Sequence, residues 1–211
     1  MNRIGIIGYG ALGKQVVGLL RGHGALDDLL LFDDLACAQK TENSFPFNSY
    51  LDPRFSNCDF YVALGYHHLT RKAEILAHLR DAGRRAPSFV HPTCYLHPTC
   101  HLGYGCVLYP MCNLDQEVEL GDGALLNNSV VISHNCRVGQ AAYFSPGVVL
   151  SGHVTVGEAA FLGSGAVVAN NRRIGAGARV GIGTVVTCDV PEGASALGNP
   201  MRLLEHPLNL Q

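Results

Sequence analysis

The sequence predicts two halves built on different rules: an α/β N-terminal subdomain, Rossmann-like with a parallel sheet, followed by a left-handed parallel β-helix of hexapeptide repeats. Two observations carry this. From Val90 onward an aliphatic or aromatic residue stands at every sixth position, seventeen times in succession through Val186. A short strand of that period buries its side chain only by stacking on copies of itself. Before that point, short apolar runs alternate with longer stretches of helical character, the grammar of α/β units, and the chain opens on a glycine-rich turn, Gly8-Tyr9-Gly10-Ala11-Leu12-Gly13. The expected boundaries are 1–88 for the first part, 89–191 for the β-helix and 192–211 for a C-terminal tail.

In the first part, Arg3 to Ile7 reads as a buried strand that feeds the glycine-rich turn and a helix running to about Gly22. Leu29 to Phe32 gives a second strand, ending at Asp33 and Asp34. Residues 41–55, with Pro46 and Pro53, read as a loop. Asp59 to Leu64 is a third strand, followed by Gly65, Tyr66, His67, His68 and a helix from Leu69 to Ala82 with Ala73, Leu76 and Leu79 on its apolar face. Ser88 to His91 crosses into the repeat. This is too short for a full six-stranded dinucleotide domain.

In the second part, the residue four places after each large one is mostly small or β-branched, from Cys94 to Val190. Five of the eight cysteines (Cys94, Cys100, Cys106, Cys112 and Cys136) fall in this column, where a thiol serves as a compact hydrophobe. Stacking, rather than disulfide or metal chemistry, explains their spacing. Glycine directly after the large residue, as at Gly103, Gly121, Gly139 and Gly157, suits corners that need conformations closed to residues with a Cβ. Arg172 interrupts the small column, either through a bulge or because residues 170–173 loop out.

Composition narrows the function. Fifteen Lys plus Arg against seventeen Asp plus Glu give a formal net charge of −2, so no basic excess points to nucleic acid. No apolar run reaches the ~18 residues of a membrane span. The start at Met1 lacks a signal-peptide pattern and reads as cytoplasmic.

Two constellations carry chemistry. The turn is a G-x-G-x-x-G between a strand and a helix, with Asp33 twenty residues beyond Gly13. Such a turn presents backbone N–H groups to phosphate, and the acid accepts from ribose hydroxyls; the same glycines would also serve plain strand-to-helix packing. A redox nicotinamide is disfavoured because only half of its fold is present. In the β-helix, His134 stands two residues after Ile132, at an outward corner. Three hexapeptides make one coil, so Gln116, His134, Gly152 and Asn170 stack in one column ~4.8 Å apart. A histidine beside a glycine N–H pairs a base with an oxyanion donor.

Both halves, in this order, resemble the bacterial nucleotide-sugar acetyltransferases of the sialic-acid O-acetyltransferase type, which include the N-acetyltransferases of bacillosamine and perosamine biosynthesis. The resemblance rests on the turn Gly8 to Gly13, Phe32-Asp33-Asp34, Ala63-Leu64-Gly65, Ser129 to Gly139, Phe144-Ser145-Pro146-Gly147 and Gly198-Asn199-Pro200-Met201-Arg202. It implies a transferase of surface-polysaccharide or glycan biosynthesis that uses acetyl-CoA on a nucleotide-sugar substrate, and a homotrimer with CoA in a groove between adjacent β-helices. His134 would be the general base, with Asn135 where the family commonly has an acid. Tyr143, Gly152, Ser164, Gly183 and Arg202 would meet acetyl-CoA. Gly8, Gly10, Asp33, Asp34, Gly65 and Asn127 would meet the nucleotide sugar. Tyr143 and Leu12 stand where the family often has histidines. Apolar residues Tyr104, Leu125, Tyr143 and Phe161 are expected on an open face buried between copies. Competing readings are a zinc enzyme using His97, His101, His134 and His153, transfer of another acyl group, and a non-catalytic nucleotide-sugar-binding protein.

Overall fold

The structure is a computed structural model that describes residues 3–24 and 28–204. The expected start at Met1 and the end of the tail, 205–211, lie outside the described residues. The chain separates into two compact units, Met1–Pro87 and Ser88–Gln211.

The first unit holds a four-stranded, all-parallel sheet in the order β3-β2-β1-β4, with β1 Arg3–Ile7, β2 Leu29–Phe32, β3 Ser44–Phe45 and β4 Cys58–Val62. Strand β1 is buried from Ile4 to Ile7, as a parallel strand covered on both faces must be. Helices α1 (Ala11–Arg21), α2 (Asp34–Ala38) and α3 (Leu69–Asp81) complete it. The segment expected to be a loop at 41–55 instead carries β3 and two short 3₁₀ turns, Phe47–Leu51 and Pro53–Phe55. Phe45 and Phe55 draw it in: their ring centroids lie 5.8 and 4.9 Å from that of Phe32, which itself lies 5.8 Å from Phe60. An aromatic cluster of this size outweighs the turn-forming prolines, because each ring buries a large apolar surface. Gly5 leaves room for it, since a Cβ there would lie 2.7 Å from the Phe60 ring.

The second unit is a parallel β-solenoid of two-residue strands in three sheets of eight, six and five strands, the eight including a closing antiparallel pair of three-residue strands, Ser195–Leu197 and Arg202–Leu204. Up to the last coil each strand pairs with the one eighteen residues on, as Ile132 does with Leu150 and Leu150 with Val168. Large and small inward residues alternate in a closed core, in which Leu126, Ile132, Phe144, Leu150 and Leu162 are inaccessible to solvent. Each such side chain contributes about 1.5–3 kcal/mol by leaving water.

Four details differ from the sequence reading. The glycines after the large residues do not adopt left-handed backbone; that conformation falls two residues later, at positions such as Asn135 (φ 58°), His153 (φ 58°) and Gly165 (φ 69°). Glycine is needed earlier because the coils touch there: a Cβ on Gly139 would lie 2.5 Å from the Glu158 nitrogen, and one on Gly157 2.4 Å from the Ala176 nitrogen. The interior thiols are more than hydrophobes, since each donates to a carbonyl of the following coil, Cys100 to Asp115 (3.1 Å) and Cys136 to Ser151 (3.1 Å) among them. At Arg172 the backbone neither bulges nor loops out: Thr155 and Arg173 stay paired, and the guanidinium turns back so that Nε donates to the Asn170 carbonyl. Finally, the last coil is two residues shorter. Ile174 pairs with Val190, sixteen residues on, so Val190 belongs to the large column rather than the small one.

The outward residues distinguish the three faces. On the eight-stranded face Leu125, Tyr143 and Phe161 are buried within the single chain, and Tyr104 is half-buried at the corner between the five-stranded and eight-stranded faces, so these residues do not form the open apolar face expected of them. On the six-stranded face Val131, Val149, Val167 and Val185 stand in register as a partly exposed ladder. The five-stranded face is polar, with an Arg137–Glu119 ion pair at 3.2 Å.

Candidate active site

The corner between the six-stranded and five-stranded faces brings His134, Asn135, Gly152, His153 and Asn170 together. Asn135 occupies the left-handed position that asparagine tolerates well, and this turns its carboxamide toward the preceding imidazole. His134 Nδ1 donates to Asn135 Oδ1 at 3.0 Å. With that proton fixed on Nδ1, the Nε2 lone pair is left to accept. The imidazole lies over Gly152: its Cε1 and Nε2 are 2.7 Å from the point where a Cβ would stand. His153 donates its N–H to the His134 carbonyl (3.0 Å), and the two rings meet edge to face at 5.0 Å. Beneath them the Cys136 thiol is pushed up in pKa by burial, which keeps it an uncharged structural group.

The Gly152 N–H, expected to serve as an oxyanion donor, is occupied: it donates to Asn170 Oδ1 at 2.8 Å. Sequence reasoning assigned Asn170 no role in catalysis, although the eighteen-residue stacking that aligned His134 with Gly152 also put Asn170 in the same column.

In the first unit the three glycines of the turn have separate duties. Gly8 adopts φ +89°, Gly10 faces open space, and a Cβ on Gly13 would lie 2.3 Å from the Gly8 carbonyl oxygen. Gly10 is the N-cap of helix α1 and supplies no side-chain cap, so the first N–H groups of the helix remain available to an anion. Asp33 Oδ2 accepts from the Tyr9 N–H (2.8 Å), and Oδ1 accepts from Ala36 (2.9 Å) as the cap of α2. The carboxylate therefore ties the glycine turn to the end of β2, with lone pairs left over for a ribose hydroxyl. Asp34 Oδ1 accepts from Phe47 N–H at 2.8 Å. Gly65 follows β4 and also faces open space.

Comparison with family models and with curated proteins gives no match. Solved structures do match along nearly the whole chain. The acetyltransferase domain of PglB from Neisseria gonorrhoeae is 28% identical, with a TM-score of 0.85 over 97% of this chain and 100% of that one. In complex with acetyl coenzyme A the same domain gives 0.83, at the same identity and coverage. PerB from Caulobacter crescentus, in complex with CoA and GDP-perosamine, is 29% identical, with a TM-score of 0.87 over 97% and 98%.

The chain is a hexapeptide-repeat acyltransferase related to PglB and PerB.

The other residues expected at the site lie apart from His134 in the single chain. Ser164 and Gly183 meet on the corner between the eight-stranded and six-stranded faces, where Gly183 N–H donates to the Ser164 carbonyl at 2.8 Å. Asn127 lies next to that same corner, its Oδ1 accepting from the Asn128 N–H at 2.8 Å. Tyr143, 8% exposed, is stacked on Phe161 with ring centroids 5.8 Å apart. Arg202 is exposed on the antiparallel strand Arg202–Leu204. Of the four histidines considered for zinc only His134 and His153 are in contact through their rings, and among the described residues no group of three metal-binding side chains is gathered. No helix among the described residues is long and apolar enough to cross a membrane.

Proposed function

We propose that the acyltransferase moves the acetyl group of acetyl-CoA directly onto an amino or hydroxyl group of a nucleotide-linked sugar, with His134 as general base. The observation that carries this reading is the state of the imidazole, held by Asn135 through Nδ1 with Nε2 unencumbered beside Gly152. PglB binds acetyl coenzyme A and PerB binds CoA with GDP-perosamine, which supports the same pair of substrates here. Nε2 takes the proton from the attacking amine or hydroxyl as the new bond to the thioester carbon forms. The carbonyl electrons shift to oxygen, and their return expels the CoA thiolate, which receives the proton from Nε2. No covalent enzyme intermediate is required. Asn135 orients the base as an acid would, but adds no negative charge to stabilise the imidazolium.

In this reading the first unit binds the nucleotide. The uncapped start of α1 receives the diphosphate, Asp33 receives a ribose hydroxyl, and Asp34 and Gly65 border the same end of the sheet. The β-helix, 89–191, performs the transfer, and the tail supplies Arg202. The reaction belongs in the cytoplasm, where acetyl-CoA is available and free thiols such as those of the eight cysteines stay reduced.

The assembly in this reading is a homotrimer. His134 and Gly152 lie on one corner of the six-stranded face, and Ser164 and Gly183 on the other. A cyclic arrangement that covers the valine ladder would set one copy's base corner against its neighbour's Ser164–Gly183 corner and complete the acetyl-CoA groove. Sedimentation at micromolar concentration is expected to give three times the 22.5 kDa chain mass, and Val167→Glu is expected to dissociate it; a monomeric wild type would count against the groove.

The reaction itself is tested by CoA release, read as free thiol, from acetyl-CoA against UDP-, GDP- and dTDP-linked amino and hydroxy sugars. Turnover with one acceptor class is expected. Failure with every acceptor would overturn the substrate assignment, and failure to bind acetyl-CoA would overturn acyl transfer altogether.

A further inference from the structure

The Gly152 N–H points at a side chain rather than at open space, and this changes which group can stabilise the thioester oxygen as it becomes negative. Asn170 sits one coil beyond Gly152, and its carboxamide reaches back so that Oδ1 accepts the Gly152 N–H at 2.8 Å. From the other side, the His134 ring reaches forward over the same glycine, with Nε2 2.7 Å from its absent Cβ. Base and carboxamide therefore converge on one residue. An amide whose oxygen is fixed by a backbone donor has only one orientation left, with its NH₂ group directed away from that donor. Among the described residues nothing accepts from Asn170 Nδ2. The strand position is firm as well: Arg172 Nε donates to the Asn170 carbonyl, and Asn171 N–H donates to the Gly152 carbonyl at 3.0 Å.

We propose that Asn170 is a catalytic residue whose Nδ2–H donates to the thioester carbonyl oxygen in the transition state, with Gly152 acting behind it by holding Oδ1. The proposal rests on the acetyl-transfer reading and adds to it the group that bears the developing charge. The steps balance: the acceptor nitrogen or oxygen bonds to the carbonyl carbon, its proton goes to His134 Nε2, and the C=O pair moves onto the oxygen facing Nδ2–H. When that pair returns, the C–S bond breaks and the thiolate takes the proton from His134. A donor fixed before the charge appears needs no reorganisation as it forms, and removing one such donor typically costs about 10²–10³ in kcat.

Two substitutions separate this role from a structural one. Asn170→Asp keeps an oxygen to accept the Gly152 N–H but turns a second oxygen toward the thioester, while Asn170→Ala removes the carboxamide and uncovers the Gly152 N–H. Both are expected to lose about 10²–10³-fold in kcat for CoA release, with KM for acetyl-CoA within a few-fold of wild type and Tm of Asn170→Asp unchanged. If Asn170 merely braced the corner, Asn170→Asp would retain activity. If Gly152 N–H were itself the oxyanion donor, Asn170→Ala would match or exceed wild type. Either result overturns the proposal while wild-type turnover leaves the acetyl-transfer reading standing; an inactive wild type removes both together.

Discussion

His134→Ala is expected to lower kcat for CoA release by about 10²–10⁴-fold, the range a positioned general base supplies, while KM for acetyl-CoA and the melting temperature change little. The two halves of that expectation come from different observations. The imidazole is half-exposed and, among the described residues, its one side-chain hydrogen bond is the 3.0 Å contact with Asn135, a surface interaction whose loss costs about 0.5–1.5 kcal/mol. The coil beneath it is secured by Ile132 and Cys136, both inaccessible to solvent, and by the backbone ladder through the Asn135 N–H to Gln116 and the His153 N–H to the His134 carbonyl. None of these needs the ring. The proposed transfer does, because an unassisted amine or hydroxyl must shed its proton as it attacks. Steady-state kinetics and thermal melts on the same preparations check both halves. A variant that kept wild-type turnover would remove His134 from the mechanism, and one that lost turnover through unfolding would make the residue structural.

The place of His134 was legible in the sequence because a strict period converts a residue number into a position. Once Ile132 is fixed as inward, His134 must lie at a corner and Gly152 one coil away, with no freedom for the chain to contradict it. Other parts of the reading lacked that constraint. Asn170 was in the right column, but whether a carboxamide turns toward a neighbouring coil or toward water depends on which backbone donor is left unpaired, and no period encodes that. The glycines that follow some of the large residues were correctly located yet wrongly explained, since both a tight turn and a close approach of coils exclude a Cβ and only coordinates tell them apart. Residues 41–55 looked like a loop because Pro46 and Pro53 dominate local propensity, whereas the attraction of Phe45 and Phe55 to Phe32 is long-range. The end of the repeat failed for a simpler reason: Val186 to Val190 satisfies a large-to-small spacing of four, but the chain uses it as a shortened large-to-large step.

Gly152→Ala is expected to abolish most of the activity and leave the fold intact, and Gly157→Ala to do the reverse, although the two sites are five residues apart and neither glycine has a left-handed backbone. The difference lies in what the new methyl group would strike. At Gly157 it would meet the backbone of the next coil at 2.4 Å. The coils cannot separate there without breaking the ladder on both sides, so overpacking of this kind costs about 1–3 kcal/mol or more and registers as a lower melting temperature. At Gly152 the nearest atoms are Cε1 and Nε2 of His134, both at 2.7 Å, and these form the far end of a side chain that can swing outward. The ring escapes the clash by rotating away, which breaks its contact with Asn135 and withdraws Nε2 from the thioester. A displacement of about 1 Å at a reacting atom is enough to cost on the order of 10²-fold. Because the damage passes through His134, adding Gly152→Ala to His134→Ala should cost little further activity, whereas independent effects would multiply. A Gly152→Ala variant with full activity would mean that the imidazole is not needed where it now lies; additive losses would mean that Gly152 acts by a route separate from the base.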